Sequence, residues 1–447
     1  MNIAIAGFGQ EGEAALAYWQ KPGNSLTICD NNPDLQVPEG VASRLGPDYL
    51  KNLSGFDVIV RTPGLHPQEI AKANPETPDI LSKVTSGTNE FFEHCPTKNI
   101  IGITGTKGKG TTSSLVAKIL EAAGKTVHLG GNIGVAPLAM LQNNIQPDDW
   151  VVLELSNFQL IDCRHSPAIA ACLMIVPEHL NWHADFAEYL GAKRNIFTHQ
   201  TAKDHAVFNR LNEPSSEISQ ASPAHKVSYE VPALGAKPTQ TVGAYVDGDM
   251  LYIDGVAVCK TTDTQLLGRH NLENICAAIA LTWSLVEHNA ELLKQAIQNF
   301  KGLEHRLEFF AKKNDVNYYD DSFAATPDAA IAALTAIPGQ KVMIVGGFDR
   351  GLPLEHLAQA YTDNQASIRE ALLIGASAER LSVALRAAGF SKYQILTEVD
   401  MPAIVSAATA AAQPDDGVVL SPGFASFDMF KNFEDRGQQF KQAVEAL

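Results

Sequence analysis

The segment GITGTKGKGTT, residues 102–112, combines glycines and lysines in an order suited to binding nucleotide phosphates. Its glycines leave backbone N–H groups free to surround phosphate oxygens, and Lys109 can reach the outer phosphates. A loop of this kind usually has a serine or threonine directly after the lysine to bind magnesium, but Gly110 stands there, so Thr111 or Thr112 would have to supply that ligand. We therefore predict an ATP site, with an incidental glycine-rich turn as the alternative. The predicted loop consists of Gly105, Thr106, Lys107, Gly108, Lys109, Gly110, Thr111 and Thr112.

Further side chains along the chain could hold a metal ion beside this loop. Glu154 lies near the end of the apolar strand in VVLELSNFQL, and a carboxylate at the carboxyl end of a strand is well placed to bind Mg²⁺ that bridges phosphates. His179 and His183 are four residues apart, which is compatible with one helical face, although structural histidines explain that spacing better. Lys193 by itself has the pattern of an exposed helix lysine. Of these side chains, Glu154 gives the strongest indication of a magnesium site.

A second glycine motif, GFGQEG, follows the apolar N-terminal stretch. Gly7, Gly9 and Gly12 have the spacing of a dinucleotide fingerprint, and Asp30 ends the next predicted strand. Such glycines let backbone N–H groups and a helix N-terminus approach a diphosphate. The motif favours a diphosphate-containing ligand. A nicotinamide or flavin cofactor and a purely structural strand-to-helix turn are the alternatives.

Length and composition limit the classes of protein to consider. At 447 residues the chain is too long for one core, so we expect two to four domains. No stretch approaches the roughly 20 apolar residues that span a bilayer, and the N-terminus lacks the pattern of a signal peptide, so we expect a cytoplasmic protein without membrane insertion. A formal net charge of −16 argues against nucleic acid as a partner. The six cysteines form no CxxC pair and are expected to be buried thiols.

The elements that must position these side chains follow from hydrophobic patterning. Residues 1–94 alternate apolar strands with helical stretches, which is typical of a parallel α/β sheet, and residues 301–447 do so again. Between them, residues 212–243 are rich in Ser and Pro and predict loops and edge strands. The Asp-Gly turn within 245–255 predicts a hairpin, and 271–300 predict one helix or a pair.

Taken in order, GITGTKGKGTT, GGNIG, ELSNFQL, EHLNWH and YLGAK resemble the signatures of the Mur ligase family, ATP-dependent amide-forming enzymes of peptidoglycan precursor synthesis. The resemblance covers nearly the whole chain and implies an α/β protein of three domains. These would be an N-terminal Rossmann-like domain for the UDP-sugar at 1–94, a central P-loop ATPase with a mostly parallel sheet at 95–300, and a C-terminal Rossmann-like domain for the amino acid at 301–447.

The resemblance also implies roles for individual residues. Glu154 and His179 would bind magnesium, and Lys193 would carry a carbamate that helps to hold the second of two ions, which reverses its interpretation as an exposed lysine. The implied metal ligands are Thr111, Glu154, His179 and Lys193. The implied catalytic residues are Lys109, Glu154, His179, Lys193 and Arg306, and ATP would also contact Asn271, Arg306 and Asp321. The implied UDP-sugar residues are Gly9, Gln10, Glu11, Asp30, Asn31, Thr62, Pro63, Gly64, Asn132, Ser156 and Gln159.

The tail LSPGFASFDMFKNFEDRGQQF is similar to that of family members that add glutamate. Ser426, Phe427 and Phe433 match positions that contact this amino acid, and Arg350 stands where the family has a lysine. The planar fork of Arg350 can grip a carboxylate with two hydrogen bonds. The resemblance thus implies a monomeric ligase that uses ATP to add D-glutamate to UDP-N-acetylmuramoyl-L-alanine through an acyl phosphate.

Some residues depart from the family pattern and keep alternatives open. Gly110 is shared with the related folylpolyglutamate synthetases, Phe323 takes the place of a lysine, and EHLN replaces the commoner DHLD. The alternatives are the same reaction with L-glutamate, a folylpolyglutamate synthetase-like ligase, or a nucleotide-binding relative without turnover.

Overall fold

A computed structural model describes residues 1–397 and 399–447. The chain folds into two compact units, and each is described by itself. The first unit comprises Met1–Asp263 and Leu272–Gln298, and the second comprises Thr264–Asn271 and Asn299–Leu447. The first unit contains two sheets and the second contains one.

The first sheet consists of five parallel strands in the order β3-β2-β1-β4-β5. Its strands are β1 (Asn2–Ala6), β2 (Ser25–Asp30), β3 (Ala42–Leu45), β4 (Val58–Arg61) and β5 (Val84–Ser86), and its helices are α1 (Gln10–Trp19), α2 (Pro67–Ala73) and α3 (Gly87–His94). Alternate residues of β1 enter two cores, because Ile3 and Ile5 pack on one face and Ala4 and Ala6 on the other. The strand order is that of a dinucleotide-binding sheet, which confirms the Rossmann-like prediction.

The second sheet has nine strands in the order β14-β13-β12-β11-β10-β9-β6-β8-β7. Its strands are β6 (Ile100–Thr104), β7 (Val127–Gly131), β8 (Trp150–Glu154), β9 (Ile169–Cys172), β10 (His205–Asn209), β11 (His225–Glu230), β12 (Ala244–Asp247), β13 (Met250–Ile253) and β14 (Val256–Lys260). The accompanying helices are α4 (Lys109–Ala122), α5 (Pro137–Met140), α6 (Asn157–Leu160), α7 (Phe186–Thr198), α8 (Glu213–Ser219), α9 (His270–Thr282) and α10 (Ala290–Asn299). Strands β6, β8 and β9 are parallel neighbours, so their carboxyl ends lie at one edge of the sheet.

The second unit is built on a six-stranded sheet in the order β15-β16-β20-β17-β18-β19. Its strands are β15 (Glu308–Lys313), β16 (Val316–Asp320), β17 (Lys341–Gly346), β18 (Ile368–Ile374), β19 (Tyr393–Ile395) and β20 (Gly417–Leu420). Its helices are α11 (Pro327–Ala336), α12 (Glu355–Asp363), α13 (Ala378–Ala387), α14 (Met401–Ala411) and α15 (Phe433–Glu445). Only the pairing of β15 with β16 is antiparallel among these described strands.

The structure confirms the α/β fold class and corrects one local expectation. The hairpin is formed by β12 and β13, and the predicted helix pair is α9 and α10. The expectation of only loops and edge strands in 212–243 is wrong, because this segment contains helix α8 and the inner strand β11. The Asn212 side chain accepts a hydrogen bond from the Ser215 N–H and caps α8, and Pro214 suits the first turn of the helix. The sequence signal for this helix is therefore its N-terminal cap and not a hydrophobic period.

Three further expectations concern the whole chain. All six cysteines are buried free thiols, as expected. Within the described part of the chain, no helix combines the length and apolar character needed to cross a membrane. The three sheets fall within the ranges 1–94, 95–300 and 301–447, whose boundaries stay predictions.

Candidate active site

The predicted phosphate loop connects the carboxyl end of β6 to the N-terminus of α4. Gly108 is the N-cap of this helix and has a φ of 88°, and a Cβ there would lie 2.1 Å from Asn274 Oδ1. Any other residue would therefore be strained and would collide with α9. Because Gly108 has no side chain, the first amides of α4 are left for an anion to cap.

Two lysines meet at one carbonyl oxygen of this loop. Lys109 Nζ donates to Gly105 O at 3.1 Å and to Thr106 O at 3.3 Å, while Lys193 Nζ, from α7, donates to the same Gly105 O at 2.9 Å. Lys193 is only 1% exposed. Its burial and the positive charge of Lys109 lower the pKa of Lys193 to about 7. A large fraction of Lys193 is therefore a neutral amine at neutral pH.

The side chains around Lys193 hold α7 against the loop. Lys193 Nζ lies 4.7 Å from the centroid of the Tyr189 ring, one helical turn earlier. The Tyr189 hydroxyl is 2.9 Å from Thr106 Oγ1, and that hydroxyl also bonds the backbone of Val176. The pattern that predicted an exposed Lys193 was misleading, because its helix packs against the loop from a distant part of the chain.

Glu154 ends β8 beside the loop, and β7 approaches its backbone closely. Gly131 has a φ of 111°, and a Cβ there would lie 2.1 Å from Glu154 O. This approach brings the next residue, Asn132, to Glu154, where its Nδ2 donates to Glu154 Oε1 at 2.8 Å. Asn132 and Glu154, which were predicted as separate substrate and metal residues, are thus in direct contact.

The two predicted histidines do not share a helical face, which corrects that expectation. His179 lies in the loop before α7 with a φ of 57°, and the chain turns at residues 180–182. The half-exposed His179 ring lies 4.8 Å from the Phe158 ring, and burial lowers its pKa. His183 is buried and has two polar partners, so the structural interpretation holds for it.

The two threonines that could replace the missing hydroxyl at Gly110 both lie in the first turn of α4, but their contacts differ. Thr112 Oγ1 donates to Asn274 Oδ1 at 3.4 Å, across the helix interface with α9. Thr111 is buried in the same turn. Of the two, Thr111 is the one without a structural bond to α9 in the described chain.

The predicted UDP-sugar residues of the first sheet lie around the β1–α1 turn. Gly9 is the N-cap of α1, and Asn31 is exposed. Asp30 Oδ2 accepts from Phe8 N at 2.7 Å, so this carboxylate holds the turn itself, and Thr62 Oγ1 donates to Ala6 O at 3.0 Å.

Other predicted sugar residues connect the first sheet to the second within the first unit. Gln159 Nε2 donates to Glu11 Oε1 at 2.8 Å, and Gln159 also forms a reciprocal cap with Ser156 at the start of α6. Gln10 Nε2 donates to Gly134 O at 3.2 Å. These contacts bring Gln10, Glu11, Ser156 and Gln159 to one region.

In the second unit, Asp321 follows β16 and is buried. Asp321 Oδ1 accepts from Leu307 N at 3.0 Å and Oδ2 from Ser421 Oγ at 2.7 Å, while burial raises its pKa to about 7. The Arg306 guanidinium lies 5.4 Å from the centroid of the Phe323 ring. The residue that replaces the family lysine therefore stacks on Arg306. The Asn271 side chain donates to Leu267 O at 2.7 Å.

The predicted glutamate residues of this unit lie in two loops and at the start of helix α15. Arg350 follows β17 and donates to Ala325 O. Phe427 is 68% exposed, and its ring lies 6.2 Å from that of Phe348. Ser426 is buried, whereas Phe433 opens α15. Two exposed aromatic rings, Phe348 and Phe427, thus lie in the loops that also carry Arg350 and Ser426, and an arginine can bind a carboxylate through two hydrogen bonds.

Two clusters of three histidine or carboxylate side chains have ligand atoms within 4.8 Å of one another in the described chain, and neither contains Glu154 or His179. One consists of His66, His183 and Glu188. The other consists of His305, Glu308 and Asp320, and Lys441 Nζ lies 2.8 Å from Glu308 Oε2. A lysine ammonium thus supplies the positive charge in the second cluster.

Comparison with known proteins identifies the family. Profiles of the Mur ligase middle domain and of the Mur ligase glutamate ligase domain match residues 103–282 and 305–424. The UDP-N-acetylmuramoylalanine–D-glutamate ligase of Clostridium kluyveri is 34% identical over 454 residues, which cover 99% of this chain and 96% of that protein. The chain belongs to the Mur ligase family. A Mur ligase of the same name from Clostridium botulinum is 34% identical over 100% of this chain and 97% of its own length.

The fold agrees with that of solved Mur ligases. The UDP-N-acetylmuramate-alanine ligase MurC of Thermotoga maritima superposes with a TM-score of 0.62 at 17% identity, covering 100% of this chain and 99% of that one. At this identity the likeness concerns the fold alone.

Sequence reasoning missed several buried polar residues of this Mur ligase. Arg61 pairs with Asp162 through two hydrogen bonds of 2.9 and 2.6 Å, and Arg436 Nη2 donates to Ser322 O at 2.8 Å. Arg61 stands in none of the motifs described above, and Arg436 lies in the family-like tail without a role assigned to it, so neither arginine was expected to be buried. Glu188 had a signal, since it stands three residues after Asp185, the N-cap of α7.

Proposed function

We propose that this Mur ligase joins D-glutamate to UDP-N-acetylmuramoyl-L-alanine and converts ATP to ADP and phosphate. The observation that carries an ATP-dependent reaction is the meeting of Lys109 and the buried Lys193 at Gly105 O, beside the uncapped helix N-terminus. The identity of the substrates is supported by relatives of that activity, which are 34% identical along the whole chain.

Two magnesium ions would be held by Glu154, His179, Thr111 and a carbamate on Lys193. These residues fit the ions because a neutral buried amine can take up CO₂ and become an anionic oxygen ligand, whereas a buried ammonium would repel a cation. The lowered pKa of His179 leaves its ring neutral and able to offer a lone pair. When bound, the ions would offset negative charge on the phosphates.

The reaction follows from the need to activate a carboxylate. The L-alanyl carboxylate attacks the γ-phosphorus, the bond to the β–γ bridging oxygen breaks, and ADP leaves, while Lys109 and Arg306 stabilise the developing charge. The glutamate amine then attacks the acyl phosphate carbonyl, loses a proton and displaces phosphate. Arg350 would orient glutamate by binding a carboxylate.

The remaining site assignments belong to the same proposal. The phosphate loop, Asn271 and Asp321 would bind ATP, and the residues gathered around the β1–α1 turn and α6 would bind the UDP-sugar. Ser426, Phe427 and Phe433 would contact glutamate. We propose that the protein is a monomer and that, since all three substrates are small and water-soluble, it works in the cytoplasm.

The test is ADP release by the purified protein with ATP, Mg²⁺ and UDP-N-acetylmuramoyl-L-alanine, comparing D-glutamate, L-glutamate and no amino acid. We expect release that depends on D-glutamate and is lost in Lys109→Ala. Release that depends on L-glutamate would keep the chemistry and change the substrate. ATP binding without release under any condition would refute the proposed ligase.

A further inference from the structure

Two loops of the first unit carry residues assigned above to different ligands. Residues 62–66, here called the sugar loop, follow β4 and include three of the proposed UDP-sugar residues. Residues 179–185, here called the histidine loop, precede α7 and begin with His179. Glu188 lies in the first turn of α7, and its carboxylate contacts both loops.

The two oxygens of Glu188 have separate partners. Oε2 accepts from Ala184 N at 2.9 Å and lies 3.2 Å from His183 Nδ1, which are both in the histidine loop. Oε1 lies 3.4 Å from His66 Nε2, at the end of the sugar loop. One carboxylate therefore bridges the two loops.

In each histidine, the ring nitrogen that faces away from Glu188 accepts a hydrogen bond, and this bond determines which nitrogen of the neutral ring carries the proton. His66 Nδ1 accepts from Gln68 N at 3.1 Å, so in the neutral ring the proton is on Nε2, which faces Glu188. His183 Nε2 lies 2.8 Å from Asn157 Nδ2, which donates to it and leaves the proton on Nδ1. A metal would need lone pairs on the nitrogens that carry these protons. The cluster is therefore a hydrogen-bonded array.

A second connection runs beside the first. Trp182 Nε1, in the histidine loop, donates to Gly64 O at 3.0 Å in the sugar loop. The Trp182 ring also packs 4.5 Å from His66 and 4.7 Å from Phe158, and Phe158 packs against His179. Displacement of the sugar loop would thus disturb the backbone and packing that position His179.

We propose that Glu188 is a positioning residue that couples the sugar loop to the histidine loop, so that nucleotide-sugar binding and Mg²⁺ binding favour each other. This inference rests on the proposed function, since it requires the UDP-sugar to bind at residues 62–64 and the ion at His179. By linkage, each ligand would tighten the binding of the other by the same factor.

Glu188→Gln tests the coupling, because an amide keeps the shape of the side chain but presents N–H to one of its donors. We would measure the Kd of UDP-N-acetylmuramoyl-L-alanine by calorimetry, without ATP, at zero and at saturating Mg²⁺. In the wild type we expect Mg²⁺ to lower this Kd by about fivefold or more, within the usual range of coupling. In Glu188→Gln the factor should fall to about one. Glu291→Gln, a 64% exposed glutamate in the first turn of α10, is the matched control and should behave as the wild type.

The outcomes separate this inference from the proposed function. An unchanged Mg²⁺ effect in Glu188→Gln, with or without a lower melting temperature, would overturn the inference. So would tight Zn²⁺ binding by the wild type that Glu188→Gln abolishes. If Glu188→Gln fails to fold, His66→Ala removes one arm of the bridge and should also reduce the factor, and no reduction would overturn the inference. A wild type that releases no ADP and binds no nucleotide sugar would overturn the proposed function itself.

Discussion

We predict that Lys193 is carbamylated, because burial of its amine raises the fraction that is neutral and able to react with CO₂. With a pKa of about 7, roughly 90% of Lys193 is neutral at pH 8, whereas a lysine of pKa 10.5 is about 0.3% neutral. The neutral amine is the form that attacks CO₂, so Lys193 offers about 300 times more nucleophile than an ordinary lysine. We therefore expect Lys193 to be carbamylated at pH 8 and to lose the modification as pH falls below 7.

The assay is ¹³C NMR of the protein in ¹³C-bicarbonate, combined with turnover in buffer freed of CO₂. A carbamate signal should appear in the wild type and be absent in Lys193→Ala. Turnover should fall in CO₂-free buffer and recover with bicarbonate. Lys118→Ala removes an exposed lysine that pairs with Glu121 on α4, and it should keep both the signal and the activity.

Loss of the Lys193 side chain should lower turnover by roughly 100-fold or more, the size of effect produced by removing one group that stabilises transition-state charge. Because Lys193 also bonds Gly105 O, the variant's melting temperature must be measured to show that it is folded. A folded Lys193→Ala variant with near-full activity would refute the reasoning, and so would a wild type without the carbamate signal at pH 8.

Three further predictions concern other parts of the chain. Arg350→Ala should raise the KM for glutamate by about tenfold or more while the KM for ATP stays within twofold, because a charge-assisted contact is removed; an unchanged glutamate KM would mean that the carboxylate is held elsewhere. Gly131→Ala should lower the free energy of unfolding by about 1–3 kcal/mol in urea titration, since its Cβ would meet Glu154 O at 2.1 Å; a loss below about 0.5 kcal/mol would contradict the close approach. Burial raises the pKa of Asp321 to about 7, so the native state binds more protons than the unfolded state between about pH 4 and 7, and stability should decline as pH rises through that window. Asp321→Asn should remove this decline, and parallel pH profiles for variant and wild type would show that the carboxyl is not perturbed.

Local sequence patterns were sufficient to predict structure where the conformation of a segment is set mainly by its own residues. Gly105 and Gly108 mark a strand-to-helix loop because glycine permits backbone conformations such as the φ of 88° at Gly108. The Asp-Gly hairpin and the apolar strands were likewise predictable from their own residues. Helix α8 was not predicted although Asn212 and Pro214 signalled its start, since its residues show no strong hydrophobic period.

The sequence by itself determined the α/β class, the phosphate loop and, through family signatures, the roles expected of Glu154, His179 and Lys193. Only the tertiary structure decided that Lys193 is buried against Gly105, 88 residues earlier in the chain, and that Glu188 bridges two loops. Motifs record which side chains are present, but a shifted pKa depends on how much water folding removes from them. The neutrality of one lysine and the partners of one glutamate are therefore properties of the packed chain.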